Sequence, residues 1–90
     1  MLIEFDSAKR EQTLIDRGLD FADAPKLFSG KHFTLADDRA DYGEQRYISV
    51  GKLVDRIVVL IWTPRGEVRR IISMRYANER EKTRYAQHLD

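Results

Sequence analysis

The sequence predicts a mixed α/β fold of the α+β kind, with two N-terminal helices, a four-stranded, mostly antiparallel sheet and one C-terminal helix. Three observations point there. Residues 44–75 contain three apolar, β-branched runs separated by short turn segments, the pattern of a meander. Residues 8–17 and 79–88 are charged, helix-favouring stretches opened by capping residues. A length of 90 residues suits one domain with a modest core, not two.

The elements follow in order. Ile3 and Phe5 alternate with Leu2, Glu4 and Asp6, which makes an extended start and a candidate fifth strand. Asp6 or Ser7 caps a helix through Ala8–Arg17, and Gly18 stops it. Asp20 or Asp23 caps a second, short helix ending near Phe28; Pro25 is tolerated only in a first turn, so this helix starts late. Lys31–Leu35 reads as a strand and residues 36–43 as a polar loop. Strands then cover Glu44–Lys52, Arg56–Pro64 and Val68–Arg75, with Leu53–Asp55 as one link and Arg65-Gly66 as a hairpin turn. Asn78 caps the last helix, Glu79–His88.

Composition excludes several classes. Cysteine is absent, which removes disulfides and thiolate metal sites and suits a reducing compartment. No apolar run approaches the ~20 residues of a membrane helix. The N-terminus lacks a basic start followed by a long apolar stretch, so a cytoplasmic protein with no membrane partner is expected. The net charge of +1 conceals an asymmetry. Residues 1–45 hold 6 Lys/Arg against 10 Asp/Glu (net −4), and residues 46–90 hold 10 against 5 (net +5). The second half is suited to meeting a polyanion.

A turn at Arg65-Gly66 pairs Trp62 with Arg69, Leu60 with Ile71, Val58 with Ser73 and Arg56 with Arg75, all on one side of the sheet. The other side, with Ile57, Val59, Ile61, Thr63, Val68, Arg70, Ile72 and Met74, is nearly all apolar and is expected to be the core. Arg69, Ser73 and Arg75 then lie on a mixed face where guanidinium forks match phosphate oxygens. Tyr47 and Trp62 are candidates for stacking on bases. The competing reading is structural, since strand-end arginines also pair with carboxylates, and Glu44 and Glu67 lie close in sequence to Arg46 and Arg65. Arg70 falls on the core face in this register, so a role in RNA binding would require the turn to shift by one residue.

There is no P-loop, GxGxxG, HExxH or nucleophile elbow, and no spacing of His, Asp or Glu that suggests a metal site or a cofactor. What remains is RNA cleavage without a metal, in which the substrate supplies its 2′-hydroxyl and the protein supplies a base, an acid and positive charge. Glu44, His32, Glu67, Tyr76 and Tyr85 are the candidate proton-transfer groups. A surface role for His32 and packing roles for the two tyrosines are the simpler readings. A non-catalytic binding module for nucleic acid or protein, using the same basic sheet, is the rival class.

Several stretches resemble a known family. They are Phe5-Asp6-Ser7-Ala8-Lys9, Gly18–Ala24, Leu27-Phe28, Gly43-Glu44-Gln45-Arg46 through Gly51, Ile57–Leu60, Thr63-Pro64-Arg65 and above all Arg70-Ile71-Ile72-Ser73-Met74-Arg75-Tyr76-Ala77, with Glu79-Arg80 and Tyr85 beyond. In order and spacing this is similar to the BrnT toxins, with departures at Phe5, Thr13, Arg17 and Met74. The resemblance implies a RelE-like fold and endoribonuclease activity that stops translation. It also implies a BrnA-like antitoxin with a ribbon-helix-helix domain, through which the pair reaches operator DNA. Arg46, Arg65 and Arg75 are then the expected phosphate and transition-state arginines and Glu44 the expected acid/base. Arg69, Arg70, Ser73 and Tyr47 are expected RNA contacts.

Overall fold

In a computed structural model, which describes residues 1–89, the chain runs β1 (Leu2–Phe5), α1 (Ser7–Arg17), a 3₁₀ turn (Phe21–Asp23), α2 (Ala24–Ser29), β2 (His32–Ala36), β3 (Tyr47–Leu53), β4 (Arg56–Arg65), β5 (Val68–Tyr76) and α3 (Glu79–Leu89). The sheet has five strands in the order β1-β5-β4-β3-β2. The expected four strands are therefore corrected to five: Leu2–Phe5 pairs in parallel with Val68–Ile71 and completes one edge. The two early helices do not open the chain but follow β1, with the 3₁₀ turn between them. β2, β3, β4 and β5 form the antiparallel meander.

Local chemistry sets the boundaries. Asp6 accepts from the Ala8 and Lys9 amides at 2.9 and 3.1 Å, and Gly18 closes α1 at φ 70°. No residue of α1 is buried. Polar ties hold it instead: Arg10 grips Asp20 through two bonds of 2.7 and 2.9 Å, and Arg17 Nη1 donates to the Met74 carbonyl at 2.8 Å. The β3–β4 turn consists of Val54 and Asp55, both at positive φ (48° and 66°), the backbone of a type I′ hairpin.

The main core seals one face of the sheet. Leu19, Phe21, Ala24, Leu27 and Phe28 pack on Val58, Leu60, Trp62, Ile71 and Met74. Gly51 lets α2 approach, because a Cβ there would stand 2.9 Å from Leu27 Cγ. A polar chain crosses this side, with Trp62 Nε1 donating to Ser49 Oγ and Ser49 meeting Thr34 Oγ1, each at 2.8 Å. On the opposite face Ala77 and Leu89 cover Val50, Ile57 and Val59, joined by Phe33, Ile48 and Tyr85. The expected core assignment is thus corrected. The side with Val58, Leu60 and Trp62 is the deeper core, and the side with Ile57, Val59 and Ile61 is only partly roofed.

The hairpin register also differs from expectation. The turn is Gly66-Glu67, one residue later, so Arg65 pairs with Val68, Pro64 with Arg69 and Trp62 with Ile71. Beyond that pair a β-bulge intervenes: Ile61 pairs with Ser73, which leaves Ile72 as the extra residue. The bulge reverses the parity of the rest of β5. Met74 and Tyr76 join the deep core side, and Ser73 and Arg75 move to the other.

Candidate functional site

Pairing places Thr63 with Arg70, Ile61 with Ser73 and Val59 with Arg75, and paired residues share a face. Arg65 lies two residues beyond Thr63 on the same side. α3 roofs only the Val50–Val59 end of this face. At the other end Ile48, Ile61, Arg70 and Ser73 are half-buried and Arg65 is exposed, an open shelf lined by arginines.

Each arginine is held by an acid. The Glu44 carboxylate accepts from Arg46 Nε at 3.1 Å with one oxygen and from Arg65 Nη2 at 3.2 Å with the other. The Arg46 guanidinium also lies over the Tyr42 ring, 4.1 Å from its centroid. Arg75 donates to both oxygens of Glu81 at 2.7 and 2.9 Å and to the Tyr76 carbonyl at 3.4 Å. Those bonds raise the Arg75 pKa and hold that of Glu81 well below its usual range, at about 2. Glu81 is itself fixed by a reciprocal cap: it accepts from the Asn78 amide at 3.0 Å while Asn78 Oδ1 accepts from the Glu81 amide at 2.9 Å. Arg70 reaches Glu4 of β1 at 3.7 Å. Every guanidinium has five N–H donors, so each has donors beyond those given to its carboxylate.

The loop between β2 and β3 adds a residue that sequence reasoning missed. Asp37 is buried, and Arg39 grips it through Nε and Nη2 at 2.7 and 2.9 Å, which lowers the acid's pKa and raises the arginine's. The Asp37 amide donates to the Arg46 carbonyl at 2.8 Å and closes the loop. Arg39 remains largely exposed, and its charge lies close enough to Arg75 to oppose protonation there. The Asp-x-Arg spacing of residues 37–39 was its only signal. Glu81 was missed too, although Asn78-x-x-Glu81 is a capping-box spacing.

The expected site residues therefore divide. Arg46, Arg65 and Glu44 meet at the open end of this face, with Arg70 and Ser73 along it, while Arg75 shares the face at the end roofed by α3, six strand residues from Arg65 and roughly 20 Å away. Arg69 does not share it, which corrects the expectation that Arg69, Ser73 and Arg75 lie together; the bulge separates them. Arg69 sits over Phe28 and Trp62, 4.5 and 4.3 Å from their centroids. Tyr47 packs on Trp62 on that same closed side, with centroids 4.9 Å apart. Arg56 lies 3.5 Å over Tyr76. His32 bonds the Gly30 carbonyl at 2.9 Å and meets Phe28 edge-on, while Tyr85 packs on Phe33. Among the described residues no helix is long and apolar enough to cross a membrane.

The shelf can bind and polarise a phosphodiester. Arg46 and Arg65 offer donors to its oxygens, and the Glu44 carboxylate between them can accept a proton from a hydroxyl. Comparison with known proteins bears on this reading. Residues 5–81 match the family model described as the ribonuclease toxin BrnT of type II toxin–antitoxin systems. No curated protein sequence matches the chain.

Proposed function

The chain belongs to the BrnT family of ribonuclease toxins of type II toxin–antitoxin systems, and we propose that it is a metal-independent endoribonuclease that arrests translation through attack by the substrate's own 2′-hydroxyl. The observation that carries this is Glu44 bridging Arg46 and Arg65 on the face that also presents Arg75. Glu44 takes the 2′-hydroxyl proton. The oxygen attacks the adjacent phosphorus, and the arginines stabilise the charge that builds on the phosphorane. The P–O5′ bond breaks with its electron pair passing to O5′, which takes a proton from water, leaving a 2′,3′-cyclic phosphate and a 5′-hydroxyl.

Arg70 and Ser73 are RNA contacts on the same shelf. The sheet belongs to the RelE-like arrangement, a reading supported by its antiparallel meander with arginines on one open face. The antitoxin implied by the family is BrnA-like, with a ribbon-helix-helix domain that carries the pair to operator DNA, and the toxin acts in the cytoplasm. The test is cleavage of RNA by purified protein in EDTA. Fragments ending in 2′,3′-cyclic or 3′-phosphate are expected, together with arrest of a cell-free translation reaction. Loss of cleavage in EDTA with rescue by magnesium would overturn the mechanism, and stoichiometric protection of RNA without fragments would favour a binding module.

A further inference from the structure

We infer that the cavity between α1 and the free edge of β5 is a subsite for a nucleobase beside the cleaved phosphate, and that it selects guanine. This rests on the ribonuclease reading above and goes beyond it to sequence preference.

β1 pairs with β5 only as far as Phe5 and Ile71. From Ile72 onward the outer edge of β5 meets α1, and Arg17 ties the two through the Met74 carbonyl at 2.8 Å. Between them lies a cavity of about 330 Å³ lined by Lys9, Gln12, Asp16, Arg17, Ile72 and Ser73. This volume is at the lower end of what small-ligand sites use, about 300–1,000 Å³. The bulge joins this cavity to the catalytic shelf. It turns Ser73 onto the face that carries Arg70 and Arg75, so one side chain borders both. Ser73 and Arg75 are two strand residues apart, roughly 7 Å, about one nucleotide step. An RNA whose phosphate sits on Arg75 therefore has a neighbouring base within reach of the cavity.

The lining chemistry suits a base more than a second phosphate. Asp16 contributes a carboxylate, which repels phosphate and accepts from N–H groups. Gln12 Nε2 lies 2.9 Å from both Asp16 oxygens, an arrangement that holds the carboxylate in place while leaving lone pairs on it. Guanine presents N1–H and the N2 amino group side by side, the donor pair that one carboxylate accepts. Its O6 acceptor complements Lys9 or Arg17, and the Ile72 side chain offers an apolar surface for the ring. Uracil presents a single N–H between two carbonyl oxygens, which the carboxylate repels.

The test uses short RNAs with one cleavable ribose and 2′-deoxy sugars elsewhere, varying the base on each side of the cut. The wild type should favour guanine over uracil at one flanking position by on the order of tenfold in kcat/KM, the size of one good base contact. Asp16→Ala should lower kcat/KM on the guanine substrate to the level of the uracil substrate. Equal cleavage of all four bases by the wild type, or an undiminished guanine preference in Asp16→Ala, would overturn the subsite. If the wild type cleaves none of the RNAs, the ribonuclease reading fails by itself. The subsite is then judged by binding of 2′-O-methyl versions measured by fluorescence anisotropy, where the same guanine preference and the same loss in Asp16→Ala are required.

Discussion

The two faces of the sheet use the same residue type in opposite ways. On the closed face Arg69 and Arg56 lie over aromatic rings, at 4.3–4.5 Å from Trp62 and Phe28 and at 3.5 Å from Tyr76. A guanidinium so placed covers apolar surface and acts as packing. On the open face Arg46, Arg65 and Arg75 are gripped edge-on by Glu44 and Glu81, which fixes their orientation and leaves N–H groups for a ligand. Counting arginines along a basic half of the chain does not separate these roles, whereas the carboxylate grip on Arg46, Arg65 and Arg75 does, even though Arg46 also lies over the Tyr42 ring at 4.1 Å.

That contrast can be broken from either side. The largest stability effect is expected on the closed face. Gly51→Ala would push a methyl to within 2.9 Å of Leu27 Cγ, a branch point that cannot simply swing away. Overpacking of this kind costs about 1–3 kcal/mol. Chemical denaturation should show that loss while cleavage per folded molecule is kept. Unchanged stability would mean that α2 is not seated tightly on β3.

On the open face the effect is a pH dependence. Glu81 has a folded pKa of about 2 against its usual 4.5, because Arg75 and the Asn78 amide favour its charged form. A lowered carboxylate pKa adds stability that is complete above the usual value and is lost as pH falls toward the folded one. Melting temperature should therefore drop between pH 4.5 and 2, and by less in Glu81→Gln than in the wild type. Asp20, also near 2 beside Arg10, should keep part of the drop in both. Identical acid profiles in the two proteins would show that the Glu81–Arg75 grip adds nothing to the folded state.

The smallest effect lies at the β3–β4 turn, remote from the open shelf. Val54 is β-branched, 95% exposed and held at φ 48°, a conformation that Asn adopts more readily. Val54→Asn should raise stability by about 0.5–1 kcal/mol with no change in cleavage. A loss of stability would mean that the Val54 side chain supports the hairpin.

Much of this architecture is legible from residue pattern. The continuous apolar run of residues 57–62 and the cap-and-glycine signals around α1 lead directly to the observed elements. The bulge does not show itself, because Ile72 is an ordinary strand residue with no glycine to mark a break, and one extra residue reverses every later side chain. This is why Ser73 and Arg75 were expected beside Arg69. The fifth strand shows only as an extended start, since four residues that pair in parallel with a strand more than sixty positions away carry little local signal. The turn was nearer to hand: Gly66, at φ 61°, belongs at the first central position of the two-residue turn, which moves the loop to Gly66-Glu67. Arg39 sits in a polar loop without periodicity, and only the fold brings it near Arg75.

We propose that arginines of the open face do the chemistry while those of the closed face hold the fold. This division of roles is tested most directly by measuring cleavage rate and thermal melting on the same preparations of Arg75→Ala and Arg69→Ala. Arg75→Ala should lose cleavage by on the order of 10² or more, as lost charge-stabilising donors do. It should stay folded, and Arg75→Lys should recover only part of the rate because a point charge lacks the fork. Arg69→Ala should show the reverse, a lower melting temperature with cleavage per folded molecule intact. A stable, fully active Arg75→Ala alongside an inactive but equally stable Arg69→Ala would contradict the assignment and move the site to the other side of the sheet.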